Sequence, residues 1–244
     1  MKKNIKIFII AIIGLLSLIG TIYYSYKVIT WYIHINENKK IKKELDEKVK
    51  KPTKEKLEYQ IDFESLKKIN SDTIAYLKVN GTSIDYVVVK GQDNSYYLNH
   101  NFEKEWNVNG WVFADYHNTV DEQDKNLIIY AHDTKDGSMF GTLHNILNKE
   151  WYDNKDNHII DLVTEKGTYK YEVFSVYSIE PEDYYINTMF NEGEFNSFVN
   201  TLKTRSIYNT NVEVSETDKI LTLSSCLYEG KKRVVLHAKL ISKI

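Results

Sequence analysis

From residue 7 to residue 26 the chain is apolar without one charged side chain, IFIIAIIGLLSLIGTIYYSY. Helical residues rise about 1.5 Å each, so the twenty residues of this run reach across a hydrocarbon core of about 30 Å. Lys2, Lys3 and Lys6 precede it, and Tyr23, Tyr24, Tyr26, Trp31 and Tyr32 form an aromatic belt at its far end. A cleaved signal peptide has a shorter apolar stretch and a small-residue cleavage site. No such site follows Gly20, so the run reads as a retained transmembrane anchor over 7–26, behind a cytoplasmic N-terminus of residues 1–6. The short lysine-bearing flank orients the chain N-terminus inside, with the body outside, although the far flank is basic as well.

The pattern then turns polar. Residues 36–56, NENKKIKKELDEKVKKPTKEK, belong to a charged stalk spanning 27–56. Ile41, Leu45 and Val49 recur every four residues, a narrow apolar stripe on a helix that Pro52 would end. A solvated spacer and a helix docked on the body fit this pattern equally well. YQIDFESLKKI, opening the body at 57–244, is the better amphipathic helix. After residue 73 the period shortens to that of strands. IAYLKVNGTSIDYVVVK holds two strand runs around Asn80-Gly81, a hairpin signal. GWVFADY, NLIIYAH, HIIDLVT, TYKYEVFSVYSI, KILTLSSC and KRVVLHAKLI are further strands, and SMFGTLHNILN and EGEFNSFVNTLKTR read as helices between them. Seven or eight strands with few helices predict a mainly β fold, a closed or nearly closed antiparallel-rich barrel.

Composition changes this picture little. A formal net charge of -2 with 27% charged residues carries no basic excess of the kind that binds nucleic acid. Nineteen Tyr and nine Phe against ten Gly and two Pro suit aromatic-faced strands. A body of nearly 190 residues can bury a core without disulfides, and the single cysteine cannot form an internal one.

That cysteine, Cys226, ends the run KILTLSSC; Arg233 opens the next strand seven residues on, and His132 ends NLIIYAH far upstream. A thiol, an imidazole and a guanidinium at strand mouths make a nucleophile, a proton carrier and an oxyanion partner. Each has a plainer explanation. A lone cysteine is often a small buried hydrophobe, and Arg233 could be a solvated strand-end charge like Lys231 and Lys232. His132 competes with six other histidines. His237 is the serious rival, because Arg233, Val235 and His237 share one strand face by period two.

NLIIYAHDTKDGSMFGTLHNIL, TLSSC and the arginine seven residues later resemble the sortases, and GWVFADYHN matches the G-x-x-F-x-D-x-x-N pattern of their class B branch. The similarity runs from about residue 57 to the end. It implies a sortase-like β-barrel with N-terminal helices and a helix in the connection between residues 180 and 217. Two departures stand out. Ser225 replaces the threonine usual before the cysteine, and Leu227 and Tyr228 follow where class B members often carry acidic residues. Nothing resembles the acidic calcium site of class A, so no metal or other cofactor is expected.

The resemblance implies a cysteine transpeptidase acting on secreted proteins with a C-terminal sorting signal, NPxTx- or LPxTG-like, and on a peptidoglycan precursor amine. Cys226 would attack the threonine carbonyl, Arg233 would hold the oxyanion, and His132 would carry the proton. By the same resemblance Tyr184, Tyr185 and Ile186 are candidates for one wall of the substrate groove, although aromatics there fit a core equally. Ser224 and Ser225 would contact peptide or satisfy strand ends, and Asp115 and Asn118 read as structural support. A membrane-tethered cysteine peptidase of another kind and a non-catalytic anchored binding domain are the alternatives from other classes.

Overall fold

The stalk segment does not hang free. In the computed structural model, which describes residues 2–53, 58–120, 123–226 and 232–244 (backbone alone at Lys2, Lys3 and Cys226), one helix α1 runs Lys2–Asp46 without interruption. Its first part is long and apolar enough to cross a membrane, and none of that window is buried against the body. Its last three turns are docked. Ile35, Asn38, Ile41 and Leu45 are buried, three to four residues apart, so they form one face. Asn38 lies in the apolar stripe because its Nδ2 donates to the carbonyl of Gly110 at 3.1 Å. The backbone N–H of Val108 donates to His34 Nδ1 at 3.1 Å, and Lys39 pairs with Asp136 at 3.0 Å.

α1 ends at Asp46, six residues before Pro52, because the chain turns there into a two-residue ladder, β1 (Val49–Lys50) against β2 (Gln60–Ile61). Residues 54–56 of the stalk lie outside the described residues. The helix expected over 59–69 is confined to α2 (Phe63–Ile69), which Asp62 caps by accepting from the Ser65 N–H at 2.9 Å.

Three buried aliphatic side chains of α1 contribute about 1.5–3 kcal/mol each. A chain starting at residue 47 should therefore melt at least about 10 °C below one starting at residue 27. Calorimetry of the two checks this; equal melting temperatures would mean that the docked turns contribute nothing.

Eight strands close into a barrel: β3 (Thr73–Val79), β4 (Asp85–Val89), β5 (Phe113–Ala114), β6 (Asn126–Ala131), β7 (Ile159–Thr164), β8 (Gly167–Ile179), β9 (Ile220–Cys226) and β10 (Arg233–Lys243). The order around the barrel is β10-β8-β7-β3-β4-β5-β6-β9. Most pairs are antiparallel, but β4–β5 and β6–β9 are parallel. The second of these sets the site, since it brings the mouths of two strands distant in sequence to the same end. The strand around Phe113 is only two residues long, shorter than GWVFADY suggested.

The run SMFGTLHNILN is not the expected α-helix. Met139 has a positive φ and the Gly141 N–H closes a turn on Ser138, so only a 3-10 turn, Leu143–Leu147, follows, with the short helix α3 (Lys149–Asp153) after it. The expected helix before the cysteine strand is α4 (Glu194–Arg205). Its Phe195, Val199 and Leu202 pack with Phe174, Tyr177, Ile220 and Val235 on the outer face of β8, β9 and β10. Where α4 covers them these strands are buried on both faces, so even their polar residues Ser175, Thr222 and His237 are buried.

Candidate active site

The register of three strands builds the site. In the parallel pair, Tyr130 stands opposite Ser224 and Ala131 opposite Ser225, so the next residues, His132 and Cys226, lie at one level. In the antiparallel pair Cys226 stands opposite Arg233. The three candidates drawn from distant parts of the sequence therefore occupy one rung across β6, β9 and β10. On the same face, two residues down each strand, lie Tyr130, Ser224 and Val235; two residues further lie Ile128, Thr222 and His237.

His132 is half-buried and its Nε2 lies 2.7 Å from the carbonyl oxygen of Leu98. A carbonyl only accepts, so Nε2 carries a proton. Leu98 reaches this place because of Gly110. With φ +56°, Gly110 lies so close to the 97–98 backbone that a Cβ there would meet the Tyr97 oxygen at 2.3 Å. Trp111 N–H then donates to Tyr97 O at 2.9 Å.

The rest of the GWVFADYHN motif clasps the histidine strand. Buried Asp115 accepts from Tyr130 Oη at 2.9 Å, from Asn94 Nδ2 at 2.7 Å and from the His117 N–H at 2.9 Å. Asn118 Oδ1 accepts from the Ile128 N–H, and its Nδ2 donates to Asn126 O, both at 2.9 Å. Side-chain amide bonds thus continue the edge that the two-residue β5 leaves short. Burial and the Asp115 carboxylate push the Tyr130 hydroxyl pKa well above its ordinary value, so Tyr130 stays neutral.

Arg233 is half-buried, and its Nη1 donates to Tyr185 Oη at 3.0 Å. Tyr185 is buried and its oxygen lies 3.0 Å from Ser224 Oγ. Ser224 and Ser225 are buried too, whereas Tyr184 and Ile186 are half-exposed. The structure thus divides the five groove candidates: Tyr184 and Ile186 meet solvent, while Tyr185, Ser224 and Ser225 lie beneath them. Leu227 and Tyr228 lie outside the described residues.

The rival imidazole, His237, has no exposed surface. Tyr177 Oη is 2.9 Å from its Nε2 and Thr222 Oγ1 2.8 Å from its Nδ1. Burial holds its pKa down to about 3. It is a neutral structural group away from the strand mouths, and no motif spacing announced the polar network it joins.

This burial has a consequence for acid stability. Above about pH 6.5 His237 is neutral whether the chain is folded or not. Below that the unfolded chain takes up a proton that the fold refuses until about pH 3, so stability falls as pH drops through this window. His158, also lowered by burial, acts in the same sense. The melting temperature should therefore already fall between about pH 6.5 and 5, where carboxylates remain ionised. His237→Gln should flatten that part of the profile; an unchanged slope would contradict the account.

The sortase domain family matches residues 77–241 of the chain. Sortase B of Staphylococcus aureus is 33% identical over 237 residues, spanning 95% of this chain and 96% of that protein. The crystal structure of Bacillus anthracis sortase B in complex with AAEK1 superposes with a TM-score of 0.75 at 34% identity, covering 87% of this chain and 100% of that one. The Staphylococcus aureus sortase B–substrate complex gives a TM-score of 0.69 at 38% identity, over 75% of this chain and 85% of that one. The eight-stranded closed barrel matches these structures, and the chain belongs to the sortase family of cysteine transpeptidases, in its class B branch.

Proposed function

We propose that the protein is anchored in the membrane by residues 7–26, with the barrel outside, and joins secreted proteins bearing a C-terminal sorting signal to an amine of the peptidoglycan precursor. The observation that carries this reading is the single rung of His132, Cys226 and Arg233 at the open mouth of three adjacent strands.

On this reading the Cys226 thiolate attacks the carbonyl carbon of the signal's threonine. A free thiol with a pKa near 8.5 is only a few per cent ionised at neutral pH, and a cationic neighbour raises that fraction. The electron pair displaced onto the carbonyl oxygen makes an oxyanion, which the permanently charged Arg233 fork stabilises. Collapse breaks the C–N bond, and the proton on His132 Nδ1 passes to the departing amine, leaving a thioester. An incoming amine then attacks the same carbon, gives its proton to Nδ1 and expels the thiolate, closing a new amide. Water in place of the amine makes the protein a slow protease. Tyr184 and Ile186, the half-exposed candidates, are suited to touch the peptide directly, with Tyr185, Ser224 and Ser225 supporting them from beneath.

Incubating the full chain with NPxTx- and LPxTG-like peptides tests this by mass spectrometry. The expected result is an acyl adduct on Cys226 that an added amine converts to amide product. Cleavage that no amine redirects would place the protein among ordinary cysteine peptidases; no adduct with either peptide class would count against the reading altogether.

A further inference from the structure

Behind the rung runs a chain of buried polar groups that begins and ends on one short turn. Tyr184 Oη donates to Tyr177 Oη at 2.9 Å. The Tyr177 hydroxyl hydrogen is then left for His237 Nε2, also at 2.9 Å. With Nε2 accepting, neutral His237 carries its proton on Nδ1 and donates it to Thr222 Oγ1 at 2.8 Å. Thr222 in turn donates to Asn126 Oδ1 at 2.6 Å. Asn126 Nδ2 closes the path, donating to the carbonyls of Tyr185 at 3.2 Å and Asn187 at 2.9 Å. Every bond points the same way around, and each member from Tyr177 to Asn126 both receives and gives.

The turn so fastened is Tyr184–Ile186, at one end by a side chain and at the other by two carbonyls. It presents Tyr185, whose ring is fully buried among Tyr177, Phe195 and Val235. The only polar atom of that side chain therefore has a fixed position. Its oxygen accepts from Arg233 Nη1 at 3.0 Å, and its hydrogen is free to go to Ser224 Oγ, 3.0 Å away on the cysteine strand. A guanidinium has five donors in a planar fork, so holding one donor on a fixed acceptor restricts where the others point.

We propose that Tyr185 is a positioning residue for Arg233: its buried hydroxyl, held by the relay through His237 and Asn126, aims the guanidinium at the atom where negative charge develops. The inference rests on the oxyanion role given to Arg233 above. It assigns Tyr185 to the reaction through Arg233 and not through contact with the peptide.

Tyr185→Phe keeps the ring and removes only the hydroxyl. A reacting group misplaced by about 1 Å can cost about 10²-fold, and losing one of several partners should cost less. In the full chain in detergent, with the cleaved peptide as substrate, kcat should fall about tenfold with KM within about twofold. The rate of Cys226 alkylation by iodoacetamide should stay within about twofold, because thiol and imidazole are untouched. In an Arg233→Lys background the same substitution should cost less than about twofold, since the fork it orients is gone. The inference is overturned if kcat stays within about twofold of wild type, if the full loss persists in the Arg233→Lys background, or if alkylation slows in step with kcat. Arg233→Ala separates this from the underlying reading: an Arg233→Ala enzyme as active as wild type removes the oxyanion role and the inference together, whereas a large loss there beside an unaffected Tyr185→Phe removes the inference alone.

Discussion

Cys226→Ala should abolish both peptide cleavage and adduct formation while leaving the fold intact. Removing a covalent nucleophile leaves only what binding and polar stabilisation give to attack by water, and the loss in comparable enzymes is at least about 10⁴-fold. Cys226→Ser should behave in nearly the same way. A hydroxyl is scarcely ionised near neutrality, and a histidine that shares a rung with a thiol is not thereby a base strong enough for an alcohol. Only the turnover should change: Cys226 ends β9, whose neighbours Ser224 and Ser225 are already buried and bonded into the sheet. A melting temperature within a few degrees of wild type, measured beside the activity, separates lost chemistry from lost structure. Cleavage that survives the substitution would show that Cys226 is not the nucleophile.

The strands of this barrel are legible in the sequence because most are flanked by turn residues and covered on one or both faces. The stretch LIIYA of NLIIYAH shows the unbroken apolar character of a strand buried on both sides. Legibility fails where a polar atom decides the structure. Asn38 sits on the buried face of α1, where periodicity treats it as a gap in the stripe, although its bond to the Gly110 carbonyl lets it be buried there. A spacer and a docked helix therefore look alike from residues alone. The run after His132 has a helix-like spacing of apolar residues, but Met139 in the left-handed region and the turn at Gly141 interrupt it. The strand at Phe113 is short because Asn118 takes over its hydrogen bonds, a substitution of side chain for backbone that strand patterns do not reveal.

The site divides in the same manner. His132, Cys226 and Arg233 announce themselves through motifs at strand ends, and strand register brings them to one level. Leu98 acts through its carbonyl, for which its side chain carries no signal. Of the two readings its sequence allowed, Tyr185 takes the core one, since its ring is buried, while its hydroxyl bonds Arg233. His237 shares a strand face with Arg233 as periodicity requires, yet α4 and its neighbours cover that face further along the strand and keep the ring neutral. The same face is therefore open and cationic at the strand mouth and closed and neutral behind it.

Arg233→Ala is the second large effect expected. A donor aimed at a developing oxyanion contributes about 10²–10³ in kcat, because its interaction strengthens as charge moves onto oxygen and is weak in the ground state. The loss should therefore appear in kcat with KM little changed, the opposite of what removing a peptide contact gives. Truncation has a further consequence here. Tyr185 is buried and its oxygen keeps Ser224 as a partner, so the alanine variant leaves that hydroxyl bonded and should remain folded. Arg233→Lys should recover only part of the loss, since an ammonium supplies charge without a fork that Tyr185 can orient. Single-turnover measurements of thioester formation and of its resolution by an amine complete the test. Both steps pass through an oxyanion on the same carbonyl oxygen, so both should slow by similar factors. A variant that slows only the second step would show Arg233 serving the incoming amine and not the oxyanion.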